Sequence, residues 1–313
     1  MSWTVVFLLV VLVGGVPTWR TAAAAPTNAD DAAAMQSIAN STGAAKSLGW
    51  GVRSPDPCGG TWSGVRCDDT GRVVSINASR GGLSGMLYPA NLSLLTSLSE
   101  LDLSFNDVGG GLALPQLRPP VAGLRTIDLR STKFVDIPDG FFSAFPALET
   151  FAIDDNDMAN PMVMQDDVLT CSRLRSFSAN NVNMYQAFPD FFGNASLFPD
   201  LESLSLARNK LWGVIDPDFG KNSKINFLDV GAQLNRDDGA SELSGKVNFI
   251  VGMENLVEVR VDHNSFFGPL PDATNLVSLR RVNAAANDLC GVPKFPAGTD
   301  VELDGNPKVG REC

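Results

Sequence analysis

Residues 201–215, LESLSLARNKLWGVI, carry apolar side chains at Leu201, Leu204, Leu206, Leu211 and Ile215, with Asn209 among them. The apolar steps are 3, 2, 5 and 4. A half-buried strand steps by 2, and an amphipathic helix steps by 3 and 4 throughout. The stretch fits neither template along its whole length.

The same spacing recurs along the chain. LSELDLSFNDV places Leu98, Leu101, Leu103, Asn106 and Val108 at these positions, and LRTIDLRSTKF places Leu124, Ile127, Leu129, Thr132 and Phe134. LETFAIDDNDM, LRSFSANNVNM, LVEVRVDHNSF and LRRVNAAANDL repeat it around Phe151, Phe177, Val259 and Val282. Weaker copies surround Ile76 and Leu228. The second apolar position falls at 76, 101, 127, 151, 177, 204, 228, 259 and 282, in steps of 25, 26, 24, 26, 27, 24, 31 and 23. A period near 25 residues with this internal pattern predicts an α/β repeat fold, a leucine-rich repeat solenoid of about nine coils.

Each position has a physical task. The L-x-L centre is a short strand with both apolar residues inward. The Asn sits where the chain turns, where a buried amide satisfies backbone groups that the turn leaves unpaired. One coil cannot bury its apolar side alone, so the coils stack and their strands form one parallel sheet. Ile137-Pro138, Phe188-Pro189 and Leu270-Pro271, with Gly85, Gly213 and Gly268, resemble the L-x-G-x-I-P subtype of plant extracellular leucine-rich repeats.

A solenoid exposes its core at both ends, so the ends need caps. Residues 1–25 read as a signal peptide: an apolar run from Val5 to Val16, too short to span a bilayer, precedes Ala22–Ala25. Residues 26–70 read as an N-terminal cap, with a helix starting near Asn28 that turns Met35 and Ile38 inward, and with Trp50 and Trp62 against the first coil. The repeats occupy 71–289, and 290–313 close the far end. Five cysteines in a secreted chain imply disulfides with one cysteine left over. Cys58 with Cys67 staples the first cap, Cys290 with Cys313 the second, and Cys171 is a small core residue. The single His and the absence of any C-x-x-C speak against zinc, and no cofactor is expected. Sequons at Asn40, Asn77, Asn91 and Asn194 are expected glycan acceptors, with Asn77 in the first strand.

A net charge of −11 argues against nucleic acid or an anionic membrane as partner. Catalysis has little support. Asp154 and Asp155 are adjacent and so point to opposite faces of a strand. The Asp218-Phe219-Gly220 tripeptide lacks the other kinase signatures. Binding is the natural use of a solenoid, and the residues beside the core positions form its surface. The partner-binding candidates are Asp102, Asp128, Arg130, Asp154, Arg208, Asp229, Arg260, Asp262 and His263. Charge along them runs from acidic early coils toward Arg260, Arg280 and Arg281. In the seventh copy the step from Val230 to Leu243 is 13 where that from Leu206 to Leu211 is five, which predicts a surface loop.

WGVRSPDPCGGTWSGVRC, RVVSINASRGGLSGML, FSANNVNM and FPDLESLSLARNKLWG together resemble the ectodomain of the transmembrane-kinase (TMK) class of plant receptor-like kinases, from about residue 30 to 313. The resemblance covers only the first repeat block of that family. It implies a secreted or cell-surface protein without its own kinase or membrane span. Its partner would be a peptide or protein, such as a receptor-like kinase or an apoplastic signalling protein. The alternative is an extracellular inhibitor of a wall-degrading hydrolase, which uses the same kind of repeat.

Overall fold

The computed structural model describes residues 25–110, 121–159, 162–164, 166–233 and 242–313. The leader segment and most of the seventh-copy insertion lie outside the described residues. All nine expected strand centres fall in strands: Val73–Asn77, Glu100–Asp102, Thr126–Asp128, Thr150–Ala152, Ser176–Ser178, Ser203–Ser205, Phe227–Asp229, Glu258–Arg260 and Arg281–Asn283. They pair in parallel and in order, with equivalent residues directly opposite, as Leu204 is to Leu228. Val65–Cys67 adds an antiparallel strand at the first edge.

A tenth strand, Asp300–Glu302, pairs in parallel with Arg281–Asn283. The coil stacking therefore continues into the segment expected to be cap alone. Its sequence, Val301-x-Leu303-x-x-Asn306, has the repeat spacing, but Val301 follows Val282 by only 19 residues.

Burial alternates along these strands, and the inward side chains, Ile76 to Val282, are all buried. Phenylalanines thicken the middle of the core. Phe142, Phe151, Phe177 and Phe192 stack in sequence with centroid separations of 5.1, 5.4 and 4.8 Å. Such pairs contribute about 0.5–1.5 kcal/mol each beyond their buried area. Cys171 lies in the same core, its thiol near the carbonyls of Phe142 and Phe145.

Buried amides tie coil to coil. Asn209 Nδ2 donates to the carbonyls of Leu206 and Ala207 in its own coil and to Ala179 in the coil before, at 2.7–3.2 Å. Its Oδ1 accepts from the Val182 and Met184 amides. Asn106, Asn156, Asn264, Asn287 and Asn306 donate in the same way. Gln233 takes the position in the seventh coil.

A second parallel sheet, on the flank, joins Gly213–Val214, Leu243–Gly245, Ser265–Pro269, Asp288–Gly291 and Lys308–Val309. Ser84–Met86 pairs with Asp107–Gly109 near the other end. Gly85 there has φ +121°, and a Cβ on it would strike the Ser41 carbonyl at the end of the cap helix. This gives the consensus glycine its reason at that position.

The N-terminal cap follows the sequence closely. The helix Ala29–Ser41 starts where Asn28 Oδ1 accepts from the Asp30 and Asp31 amides. Met35 and Ile38 are buried, and Trp50 and Trp62 stack at 5.5 Å. Asp31, fully buried, pairs with Arg72 at 2.8 Å and accepts from the Val73 amide at 2.7 Å, so the helix is pinned to the first strand. Burial nevertheless holds the Asp31 carboxyl above its ordinary range. Cys58–Cys67 and Cys290–Cys313 are both bonded, with Cα separations of 5.6 and 5.4 Å.

Candidate functional site

Because the strand period is 2, residues flanking each inward centre point together to the open face of the sheet. Their column runs through Asp102, Asp128, Ala152, Ser178, Ser205, Asp229, Arg260 and Asn283, as expected. The chain then continues for three residues before turning in at the Asn. The residue just before that Asn has a left-handed backbone in every coil. Arg80, Phe105, Ser131, Asp155, Asn181, Arg208, Ala232, His263 and Ala286 have φ between 49° and 57°, and Gly305 closes the series at 79°. This conformation swings the next residue inward and leaves its own side chain on the rim of the open face. Of this rim column only Arg208 and His263 were among the expected residues. Nothing in residue type signals it, since glycine occupies the position only once among these ten.

The expected partner-binding residues fall into two groups. Asp102, Asp128, Arg130 and Asp154 lie in coils two to four. Asp102 accepts from the Ser104 amide and hydroxyl. Arg130 grips Asp128 with two nitrogens, at 2.6 and 2.9 Å, and Asp128, Asp154 and Asp102 together raise its pKa further. Asp154 is 8% exposed and is held by the Ser178 hydroxyl and the Asn180 amide. Phe105 projects on the rim beside them, with the Arg80 guanidinium 3.9 Å from its ring centre and Arg130 at 5.8 Å.

The second group, Arg208, Asp229, Arg260 and Asp262, lines one depression of about 460 Å³ over coils five to nine. Phe227 and Arg281, also on its wall, were not among the expected binding residues. Burial is the main influence on Asp229 and pushes its carboxyl up, against the nearby Arg260 at 3.6 Å. Arg260 also bonds Glu258 at 2.7 Å and lies 5.7 Å from the Phe227 ring centre. His263 stands on the rim, with Nδ1 2.9 Å from Asp262. Arg208 reaches Asp155 across two coils at 3.4 Å.

The expected charge gradient is weaker than its sequence. Arg281 meets Glu302 at 3.0 Å and Asp300 at 3.9 Å, both from the tenth coil. Arg280 donates to the Val277 and Leu279 carbonyls instead of standing free on the sheet. Carboxylates stand toward both ends of the open face, Asp102 and Asp128 at one and Asp300 and Glu302 at the other, and Arg130, Arg260 and Arg281 are each held in an ion pair.

Of the four sequons, Asn40, Asn77 and Asn194 are exposed and Asn91 is half-buried. Asn77 stands on the open face of the first strand, Asn40 and Asn91 on helices, and Asn194 on the far side of the coil, just after the 3-10 turn Asp190–Gly193. Asp218-Phe219-Gly220 also lies on that far side. Phe219 is buried and Asp218 pairs with Lys221, which is a structural use. No group of three or more His, Cys, Asp or Glu among the described residues is arranged to hold a metal.

The stacked coils, the amide column and the two caps define a leucine-rich repeat protein. Residues 28–68 match the leucine rich repeat N-terminal domain family, and residues 200–222 match the Leucine Rich Repeat family. Within that class, the chain resembles the leucine-rich repeat ectodomain of TMK-type receptor-like kinases. It is 32% identical over 241 residues to the Arabidopsis thaliana receptor-like kinase TMK2, covering 76% of this chain and 26% of that protein. The chain thus spans about a quarter of the relative's length.

Among solved structures, the fold matches the Arabidopsis receptor kinase HAESA in complex with the peptide hormone IDA and the co-receptor SERK1. The TM-score is 0.67 at 24% identity, over 85% of this chain and 47% of that one. It also matches a plant ice-binding protein, with a TM-score of 0.66 at 20% identity over 92% and 98% of the two chains. Two such different proteins on one fold show that the function must be argued from the surface.

Proposed function

We propose that the chain is an extracellular recognition module of receptor-kinase-type signalling in plants, which binds a peptide or protein along the open face of its sheet. The observation that carries this reading is the depression over coils five to nine. It joins buried or half-buried charges of both signs, Asp229, Arg260, Asp262 and Arg281, to the apolar edge of Phe227. Alternating charges of this kind fix the register of an extended partner more than they add raw affinity. The similarity to TMK2 and the peptide complex of a fold relative point the same way. Binding is favoured over catalysis because His263 is bonded to Asp262 and, among the described residues, no hydroxyl or thiol is bonded to it. No helix among the described residues is long and apolar enough to cross a membrane.

The test is affinity capture from plant membrane and apoplast proteins with the secreted, tagged chain, beside an Asp229→Ala/Arg260→Ala double variant. A receptor kinase or signalling protein bound by the parent and lost by the variant supports the proposal. A wall-degrading hydrolase bound in that way supports the inhibitor reading. Capture that the double variant leaves unchanged overturns the assignment to this face.

A further inference from the structure

One groove of the described surface lies away from the open face. It lies on the far side of coils five and six and has a volume of about 710 Å³. Its apolar wall is Phe191, Leu197 and Phe219, and its polar wall includes Asp190, Asp216 and Lys221. Phe191 and Leu197 are only half-buried, so carbon faces the opening. Gly193 underlies it: a Cβ there would come within 2.7 Å of the Gly220 amide nitrogen and would strike the Phe219 ring. The wall is therefore shaped by a residue without a side chain.

Asn194 lines this groove and opens the sequon Asn194-Ala195-Ser196. The Ser196 amide donates to Asn194 Oδ1 at 2.9 Å, so the sequon is already turned back on itself with the asparagine exposed. Asn77 makes the equivalent bond, accepting from the Ser79 amide at 3.4 Å, but none of the other three sequons lines this groove. Asn40 and Asn91 stand on helices, and Asn77 stands on the sheet.

We infer that Asn194 carries an N-linked glycan whose first N-acetylglucosamine lies in this groove and forms part of the folded structure. A pyranose has an apolar face of C–H bonds and a rim of hydroxyl and acetamido groups. The groove offers the matching pair of walls, apolar carbon on one side and carboxylates with an ammonium group on the other. In the attachment step Asn194 Nδ2 forms a bond to the anomeric carbon of an oligosaccharide carried on a lipid diphosphate. The bond from that carbon to the phosphate oxygen breaks, the lipid diphosphate leaves, and the amide loses one proton. The inference rests on the extracellular reading, because this chemistry belongs to the secretory route. It leaves the open face clear, since the groove and the sheet lie on opposite sides of each coil.

The experiment is secretion of the full chain from plant cells held at high-mannose glycans, followed by peptide mapping of all four sequons. Trimming to a single N-acetylglucosamine should leave the melting temperature of the parent unchanged. Asn194→Gln and Ser196→Ala, of which the second keeps the Asn194 side chain, should each melt about 2–4 °C lower than the trimmed parent. Asn40→Gln should not. An unmodified Asn194 in a chain glycosylated elsewhere would overturn the inference, as would melting temperatures of the two variants equal to that of the parent. Modification at none of the four would overturn the extracellular reading as well.

Discussion

Arg208 and Asn209 are neighbours in the chain and belong to two columns that run the length of the solenoid. The Asn209 column is buried and nearly uniform: Asn106, Thr132, Asn156, Val182, Asn209, Gln233, Asn264, Asn287 and Asn306. The Arg208 column has one backbone conformation throughout and almost no chemical uniformity, holding Arg, Phe, Ser, Asp, Asn, Ala, His and Gly. The same turn makes both. The buried column must satisfy carbonyls and amides that no water reaches, so its chemistry is constrained. The rim column faces solvent and is free to vary. Fold is written in the first, and the capacity for recognition in the second.

The exceptions in the buried column show how its constraint works. The Val182 side chain donates nothing, yet the Ala179 carbonyl and the Val182 and Met184 amides of that coil are all served by Asn209 from the next. Gln233 is more redundant. The Leu206 carbonyl it contacts is also reached by Asn209, and the Val230 carbonyl by Asn264. The largest expected effect follows. Asn209→Ala leaves three buried groups without a partner and should destabilise by roughly 3 kcal/mol or more. Gln233→Ala leaves only the Leu211 amide and should cost about 1–2 kcal/mol. Chemical denaturation of the two variants checks the order, and equal losses would break the redundancy argument.

A second buried group responds to pH. The Cys171 thiol is pushed up by burial from 9.0 to about 11. In the unfolded chain it ionises first, so the folded state holds more protons between those values. Its contribution is fully present below pH 9 and is lost as pH rises through about 11, a fall of about 2–3 kcal/mol. Lysines and tyrosines titrate in the same range, so the measurement is the difference in pH dependence between the parent and Cys171→Ala. A difference that stays flat from pH 8 to 11 would show that the thiol is not shielded.

These inward features were largely legible. The strand centres, the Asn turn, the capping helix, the tryptophans and the cysteine partners follow from spacing and residue type, because each repeat imposes the same local demand. The tenth coil escaped because only 19 residues separate Val282 from Val301. The Asp31–Arg72 pair, the pairing of Arg281 with Glu302 and the grouping of Arg208, Asp229 and Arg260 were not legible. They arise from residues about 20 to 50 apart whose meeting depends on how coils stack. The rim column is illegible for a different reason. Its common property is a backbone angle, and stacking enforces that angle on whatever side chain stands there.

Enforcing that angle has a free-energy cost. A residue with a Cβ in the left-handed region is disfavoured by roughly 1 kcal/mol, and glycine is not. Ala286 has no side-chain polar group to lose. Ala286→Gly should therefore stabilise by about 0.5–1 kcal/mol, with melting temperature as the readout. Destabilisation would mean that Ala286 is held by packing and that the rim is not conformationally strained.

The smallest stability effect belongs to Arg208, and it separates the two columns most cleanly. Its pair with Asp155 is 3.4 Å long, and both side chains are about half exposed, so screening leaves it worth less than about 1 kcal/mol. Arg208→Ala should melt within a degree or two of the parent, whereas Asn209→Ala, one residue on, should not. If the open face is the binding surface, Arg208→Ala should still weaken capture of the partner, because Arg208 borders the depression with Asp229 and Arg260. Loss of binding without loss of stability at 208, and loss of stability at 209, would assign the two tasks to adjacent residues. A stable Arg208→Ala chain with undiminished capture would instead move the contact surface toward Phe105 and coils two to four, where the rim carries an exposed aromatic side chain.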